Sequence, residues 1–350
     1  MRSGLAESTR RGYQRGLGAY RHFLRATGQE AYENWVVRPS EMQMANFIGY
    51  LWKVEGKSAA TIKGILAGLQ SAFWDQGQSS PMQDPSTGRP LDLLARVMRG
   101  VKKATAKPKS IRLPVTVPMM RQLVAWLQGD GPTGWMRENK VMLASAWTLG
   151  LYALLRVGEF TAPTQSTHDP STDLTRADII LSGKLAAEGQ ADATTRMHVH
   201  IKASKVDVFR QAVTIVCHGT GTPDDPVLWM QRYLQETSGA GIAEPLFVLK
   251  GRGYLTRQLL TQALKAGLQA CGWDPKLHSS HSLRAGGAVS LSSAGFGREV
   301  IAVYGRWSSD SLELYLKLQQ HSLRAAAIGM ARVTEEMVER QGHGGIRRRD

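Results

Sequence analysis

The sequence lacks the features that are typical of secreted, zinc-stabilised or membrane-spanning proteins. Its 350 residues include 2 cysteines, Cys217 and Cys271, too few and too far apart for a disulfide framework or a zinc site, so a reducing intracellular compartment is expected. The first residues contain no apolar segment typical of a secretory signal. The longest apolar run, residues 141–155, is shorter than the roughly 20 residues that span a bilayer. It predicts a buried helix leading into Arg156, and no contact with a membrane is expected.

Acidic residues are scarce beside basic ones. The chain has 44 Lys and Arg against 29 Asp and Glu, a formal net charge of +15. Residues 1–112 hold 18 basic and 8 acidic residues, whereas residues 113–350 hold 26 and 21. Because each cation placed on a phosphate releases counterions, this excess favours a nucleic acid as partner; a merely basic surface is the alternative. The uneven distribution predicts a separate basic module in front of a more balanced one.

The first hundred residues show only helical periodicity. Ser40 stands three residues before Gln43, the spacing of a capping box, and apolar stripes at helical spacing follow in residues 44–51 and 62–73. Residues 10–24 and 91–101 supply two more candidate helices, which predicts a bundle of four. Any one of its basic residues is explained by a solvated surface, but the net charge of the whole set favours binding to DNA. The candidate DNA-binding residues are Arg10, Arg11, Arg15, Lys57 and Lys63.

A break in the pattern divides the chain. Residues 104–117 contain two prolines and no sustained periodicity, which is typical of a linker, and Thr116 can then cap a new helix. We therefore expect a basic helical domain over residues 1–103 and a second domain over residues 118–340. Residues 341–350 are rich in Gly and Arg, and a disordered tail is expected there.

The second domain mixes helices with a small antiparallel sheet. Residues 197–202 alternate strictly, so His198, His200 and Lys202 would face outward, and a strand over residues 209–216 can pair back with them. The turn between the strands would carry Lys205 at its tip. With no third ligand at a suitable spacing, the two histidines are expected to be exposed strand residues, and no metal is expected.

Several residues could act on a phosphodiester. Attack on phosphorus builds charge on the non-bridging oxygens, and no carboxylate cluster of the kind used by two-metal nucleases is evident. Two guanidiniums can replace the metals, because each presents a planar fork of donors that matches two phosphate oxygens. Arg156 and Arg284 are the candidates. Glu159, three residues after Arg156, can hold its guanidinium; a surface ion pair is the alternative.

The order of these residues resembles a known family. His281-Ser-Leu-Arg284 precedes Gly305-Arg306-Trp307, and Tyr315 follows; Leu-Leu-Arg-Val-Gly-Glu around Arg156 and Lys-Ala-Ser-Lys-Val-Asp around Lys205 lie upstream. This constellation resembles the tyrosine recombinase, or phage integrase, family. The Lys-Ala-Ser-Lys-Val-Asp and Gly-Arg-Trp-Ser-Ser-Asp segments look most like recombinases of eukaryotic tyrosine-recombinase mobile elements.

The resemblance implies a role for each residue. Tyr315 would be the nucleophile, and Lys205 the acid that protonates the departing 5′ oxygen, with Lys202 as the weaker candidate. Trp307 would donate a hydrogen bond to the phosphate, and Arg306 competes for that role. The implied catalytic set is Arg156, Lys205, His281, Arg284, Trp307 and Tyr315.

The resemblance also implies a fold and an activity. The fold would be mainly α with a small antiparallel sheet, a helical bundle followed by a mixed catalytic domain. The activity would be cleavage and rejoining of double-stranded DNA through a 3′-phosphotyrosine, by a homotetramer on DNA, with no cofactor. The location would be the nucleus of a eukaryote, or otherwise the cytoplasm and nucleoid. Alternatives are a nicking and resealing enzyme like type IB topoisomerases, and an inactive domesticated DNA-binding protein.

Overall fold

The computed structural model describes most of the chain as two compact units, residues 1–109 and 110–350. The described residues within them are 7–29, 38–106, 112–183, 195–202 and 212–307. Lys205 and Tyr315 lie outside the described residues, as do the turn that would carry Lys205 and the predicted tail over residues 341–350.

The first unit contains four described helices, which confirms the predicted number. They are α1 (Glu7–Ala26), α2 (Glu41–Lys53), α3 (Ala59–Trp74) and α4 (Asp92–Ala104). The Ser40 side chain caps α2 by accepting a hydrogen bond from the backbone N–H of Gln43 at 3.1 Å, as the spacing predicts. The apolar stripes meet in one core built around Tyr20, Phe23 and Phe47. Apolar burial between the helices therefore holds this unit together.

The second unit contributes the remaining helices of the described chain. They are α5 (Val117–Gln128), α6 (Arg137–Tyr152), α7 (Val157–Phe160), α8 (Pro226–Glu236), α9 (Arg257–Ala270), α10 (His281–Ser293) and α11 (Arg298–Gly305). Thr116 and Thr256 precede α5 and α9 as predicted, although only Thr256 accepts a capping hydrogen bond through its side chain. Helix α6 is buried along nearly its whole length. Within the described ranges, no helix is both long and apolar enough to cross a membrane.

A three-stranded antiparallel sheet lies in the same unit, in the order β1–β2–β3. The strands are β1 (Ile179–Ser182), β2 (Arg196–Ile201) and β3 (Val213–His218). The predicted pairing of β2 with the next strand is confirmed, with Val199 opposite Ile215. Strand β3 ends two residues later than the predicted 216, and residues 209–211 of the predicted strand lie outside the described residues. Strand β1 was not predicted. A short hairpin of β4 (Val248–Leu249) and β5 (Gly253–Tyr254) precedes α9.

The faces of the sheet follow the predicted alternation in β2. Met197, Val199 and Ile201 are buried, and His200 is exposed. The prediction that His198 and Lys202 face outward is only partly right, because both are half-buried. Within the described ranges, no group of three or more His, Cys, Asp or Glu side chains is placed to hold a metal ion.

Candidate active site

The end of α6 places the first arginine. After Tyr152 the chain turns through Leu154, which has a left-handed backbone with φ of 48°. The N–H of Leu155 bonds to the carbonyl of Gly150 at 3.2 Å, and the N–H of Leu154 to that of Leu151 at 3.4 Å, the pattern of a Schellman motif. A leucine in this conformation is unusual, since glycine is the residue that adopts it readily. The turn leaves the Leu154 carbonyl free to accept side-chain donors.

Arg284 is the buried cation of the site. Only 1% of the residue is exposed. Its guanidinium donates to the backbone carbonyls of Leu154 and Gly305 and lies over the Trp307 ring, with the central carbon 4.2 Å from the ring centroid. A buried charge without partners would be strongly unfavourable, so these contacts are what allow the arginine to stay inside. They also hold its planar fork in one orientation.

Glu159 joins two other arginines. One carboxylate oxygen lies 3.0 Å from Nη1 of Arg156, and the other lies 3.0 Å from Nη2 of Arg306. Glu159 contacts the Arg156 guanidinium, as the spacing suggested, although the two residues do not share a helical face. Arg156 precedes α7, and its backbone N–H donates to Glu159 at 2.8 Å, so the carboxylate folds back over the start of that short helix. The Glu159 side chain is 3% exposed, which makes it a fixed bridge between the two guanidiniums.

Small residues seat α10 against its neighbours. A Cβ built on Gly286 would collide with the Val115 carbonyl, and one on Gly287 with the Leu151 carbonyl. The backbone of α10 therefore lies directly against the segment before α5 and against the end of α6, a close approach that glycine allows because it has no side chain. This contact fixes the distance between Arg284 and the α6 terminus.

His281 begins α10, one turn before Arg284. The residue is exposed, yet partial desolvation of the imidazole, together with the charges of Arg284, Arg257 and Arg156, lowers its pKa below the ordinary value. The ring is therefore neutral at neutral pH. Arg257, the first residue of α9, was missed by sequence reasoning, because an arginine after a helix cap carries no motif.

Lys202, the weaker candidate for the general acid, already has partners. Its ammonium lies 2.7 Å from Asp178 and also donates to the carbonyl of Pro170 at 2.7 Å and to the Thr175 hydroxyl at 3.2 Å. Three acceptors hold it against the start of β1. Lys205, the first candidate, and the nucleophile candidate Tyr315 lie outside the described residues.

The candidate DNA-binding residues lie in the first unit. Arg10, Arg15 and Lys63 are exposed, and Lys57 is half-exposed with Glu55 at 3.5 Å. Arg11 lies in α1, but its side chain is outside the described residues. Helix α4 adds exposed cations that the sequence analysis omitted although their spacing was readable: Arg96, Arg99, Lys102 and Lys103.

The fold is similar to that of solved DNA-bound enzymes. A XerH site-specific recombinase bound to a palindromic difH substrate, in a post-cleavage complex, matches with a TM-score of 0.52 and 14% identity over 83% of this chain and 72% of that chain. A lambda integrase dimer bound to a COC′ core site matches with a TM-score of 0.52 and 18% identity over 90% of each chain. No protein-family model matches the sequence, and neither does any curated protein. At this level of identity the likeness concerns architecture: the chain has the mainly helical fold with a small antiparallel sheet of a tyrosine recombinase, as the sequence predicts.

Proposed function

We propose that this protein cleaves and rejoins double-stranded DNA at specific sites through a tyrosine nucleophile. The observation that carries the proposal is a cluster of three arginines at the end of a buried helix: Arg156 and Arg306 share the buried Glu159 carboxylate, and Arg306 and Arg284 share the Leu154 carbonyl. Guanidiniums held in place in this way are suited to the charge of a phosphodiester that is being attacked. The recombinase and the integrase with similar folds are bound to DNA, which supports the same substrate class here.

The chemical step balances without a cofactor. The phenolic oxygen of Tyr315 attacks phosphorus while the bond from phosphorus to the 5′ oxygen breaks, which leaves a 3′-phosphotyrosine and a free 5′ hydroxyl. His281, neutral at physiological pH, accepts the phenolic proton, and Lys205 protonates the departing oxygen. Attack by a 5′ hydroxyl of another strand reverses these steps and releases the tyrosine. The ester keeps the energy of the bond, so no nucleotide is consumed.

Lys205 is preferred to Lys202 as the acid for a physical reason. Lys202 is held by Asp178 and two further acceptors, so releasing its ammonium toward a substrate would break an ion pair at 2.7 Å. Trp307 and Arg306 remain the two candidates for an additional donor to the phosphate.

The rest of the chain supports the same function. Residues 1–103 would bind the phosphate backbone through exposed cations in α1, α3 and α4, and residues 118–340 would carry the chemistry. Exchange of strands between two duplexes needs four cleavages, so the active form would be a homotetramer on DNA inside the cell. The Gly-Arg-Trp-Ser-Ser-Asp segment supports a recombinase of a eukaryotic mobile element, acting in the nucleus.

Covalent capture tests the proposal. The full chain would be mixed with a nicked duplex library whose core is randomised, and protein–DNA adducts would be isolated on a denaturing gel and sequenced. We expect the wild type to form adducts and Tyr315→Phe to form none while still binding DNA, because binding depends on many phosphate contacts.

Tyr304→Phe is the matched control. Tyr304 lies in α11, two residues before Arg306, but desolvation by burial raises the pKa of its hydroxyl to about 12, which makes it a poor nucleophile at neutral pH. This variant should form the adduct normally. Adducts with Tyr315→Phe, or none with the wild type on any sequence, would contradict the proposal. Sedimentation of the captured complex as a monomer would favour nicking and resealing over strand exchange.

A further inference from the structure

We infer that Arg306, and not Trp307, is the third side chain that binds the scissile phosphate, while Trp307 positions Arg284. The inference rests on the proposed function and assigns a role that the sequence left open between the two neighbours. It follows from the contacts that each side chain makes.

Arg306 is built into the same cluster as Arg156. It ends α11 with a left-handed backbone, φ 57°, which turns its side chain back toward α7. Its Nη2 donates to Glu159 at 3.0 Å and to the Leu154 carbonyl at 3.3 Å, and Leu154 also accepts from Arg284. One carboxylate and one carbonyl thus hold three guanidiniums together. If Glu159 only held Arg156 in place, the contact of its other carboxylate oxygen with Arg306 would have no explanation.

The charges of the cluster match a phosphate under attack. Three guanidiniums against one carboxylate leave a net charge of +2. A phosphodiester carries one negative charge, and the pentacoordinate state carries about two, so the cluster is complementary to the transition state more than to the ground state. Without Arg306 the remaining charge would be +1, which suits only the bound substrate.

Two donors of Arg306 have no acceptor within the described part of the chain. Its Nε and Nη1 are buried and make no hydrogen bond there. Buried donors of a charged group are rarely left without acceptors, and those that are call for an anion or another partner. These two donors lie on opposite edges of the guanidinium, so a non-bridging phosphate oxygen beside Arg156 would accept a single charge-assisted hydrogen bond from one of them.

Trp307 makes contacts of a different kind. Its ring lies over the Arg284 guanidinium at 4.2 Å, and it packs so closely on Gly305 that a Cβ there would collide with it. It also packs against the small cluster of Leu154, Ala288 and Ile301. The ring thus packs on one face of the Arg284 guanidinium while its N–H groups donate to two carbonyls, which makes Trp307 a positioning residue.

The experiment compares two variants on two substrates. Arg306→Ala removes the guanidinium, and Trp307→Phe keeps a ring over Arg284 but removes the indole N–H. Each would be tested on a DNA captured by the wild type, once as the phosphodiester and once with a methylphosphonate at the scissile position. The methylphosphonate replaces one charged oxygen with a methyl group, so one negative charge fewer develops during attack.

We expect Arg306→Ala to slow adduct formation on the phosphodiester by about 100- to 1000-fold, the usual effect of losing one oxyanion donor, but by at most about tenfold on the methylphosphonate. Trp307→Phe should lose at most about tenfold on either. Arg252→Ala, which removes a cation stacked on Trp135 away from the site, should stay within about threefold and controls for net charge.

Three outcomes would overturn the inference while leaving the proposed function intact. These are a Trp307→Phe loss as large as that of Arg306→Ala, an Arg306→Ala activity within about threefold of wild type on the phosphodiester, and an Arg306→Ala enzyme that fails to react with the methylphosphonate. The third outcome would mean that Arg306 stabilises the folded site and does not bind the phosphate charge. Absence of any adduct with the wild type refutes the proposed function itself, and the inference with it.

Discussion

Replacing Arg284 with lysine should damage both stability and activity, although the charge is kept. The guanidinium donates to the Leu154 and Gly305 carbonyls at once and stacks on Trp307, in a place where 1% of the residue is exposed. A lysine ammonium can reach one carbonyl but cannot span both, and it lacks the flat surface that stacks on a ring. One buried acceptor therefore loses its donor.

The loss of stability can be estimated from these contacts. A hydrogen bond to a charged group contributes about 1.5–3 kcal/mol, and a desolvated cation–π contact about 2 kcal/mol. We expect Arg284→Lys to lower the free energy of unfolding by about 3 kcal/mol. For a unit of this size that corresponds to a fall in the melting temperature of roughly 6–12 °C. The cleavage rate should fall by about two to three powers of ten, because the phosphate loses a preorganised donor fork.

Arg156→Lys provides the matched control. Arg156 is half-buried, and its described side-chain partner is Glu159, so lysine can keep the ion pair and stability should change by less than about 1 kcal/mol. Its cleavage rate should nevertheless fall about as far as that of Arg284→Lys. Thermal unfolding and single-turnover adduct formation on the captured DNA measure the two effects separately. Equal losses of stability in both variants, or cleavage by either within about threefold of wild type, would refute the reasoning.

Two further predictions concern proton transfer. Because desolvation and the nearby arginines lower the pKa of His281, the cleavage rate should stay level through neutral pH and fall only as pH drops below the ordinary histidine range. Arg257→Gln removes one of those charges, so the acid limb of its pH–rate profile should move to higher pH, and an unmoved limb would exclude His281 as the base. Lys205→Ala should cleave an ordinary phosphodiester slowly but a substrate with a bridging 5′ sulfur at close to the wild-type rate, since a thiolate leaves without a proton. Lys202→Ala should show no such rescue; rescue of Lys202→Ala alone would move the general acid to that residue.

The helices were predictable because their signals are local. The cap at Ser40 and the apolar stripes that follow depend on residues a few positions apart, and the structure confirms them. Strand β1 escaped notice because it has only 4 residues, Ile179–Ser182, and its partner lies beyond a long connection. A strand of that length alternates too briefly to stand out from its surroundings.

The parts of the site that the sequence could not predict are those held by distant contacts. The bridge from Glu159 to Arg306 joins residues 147 positions apart, and neither has a local pattern that names the other. The left-handed turn at Leu154 carried no signal either, because leucine is not a residue that marks such turns. The residue types identified the arginines as candidate site residues, but tertiary packing decides which guanidiniums share a carboxylate.

The contacts of Arg284 bear on how an inactive relative could be recognised. Its guanidinium closes the end of α6 by binding the Leu154 carbonyl, and it ties that end to α11 through Gly305, so the arginine belongs to the scaffold as well as to the chemistry. A relative that had lost catalytic activity but still bound DNA would need this side chain in order to fold. Retention of Arg284 during evolution therefore says little about activity. The tyrosine at position 315 and the lysine at position 205 are the positions at which decay of the enzyme would first become visible.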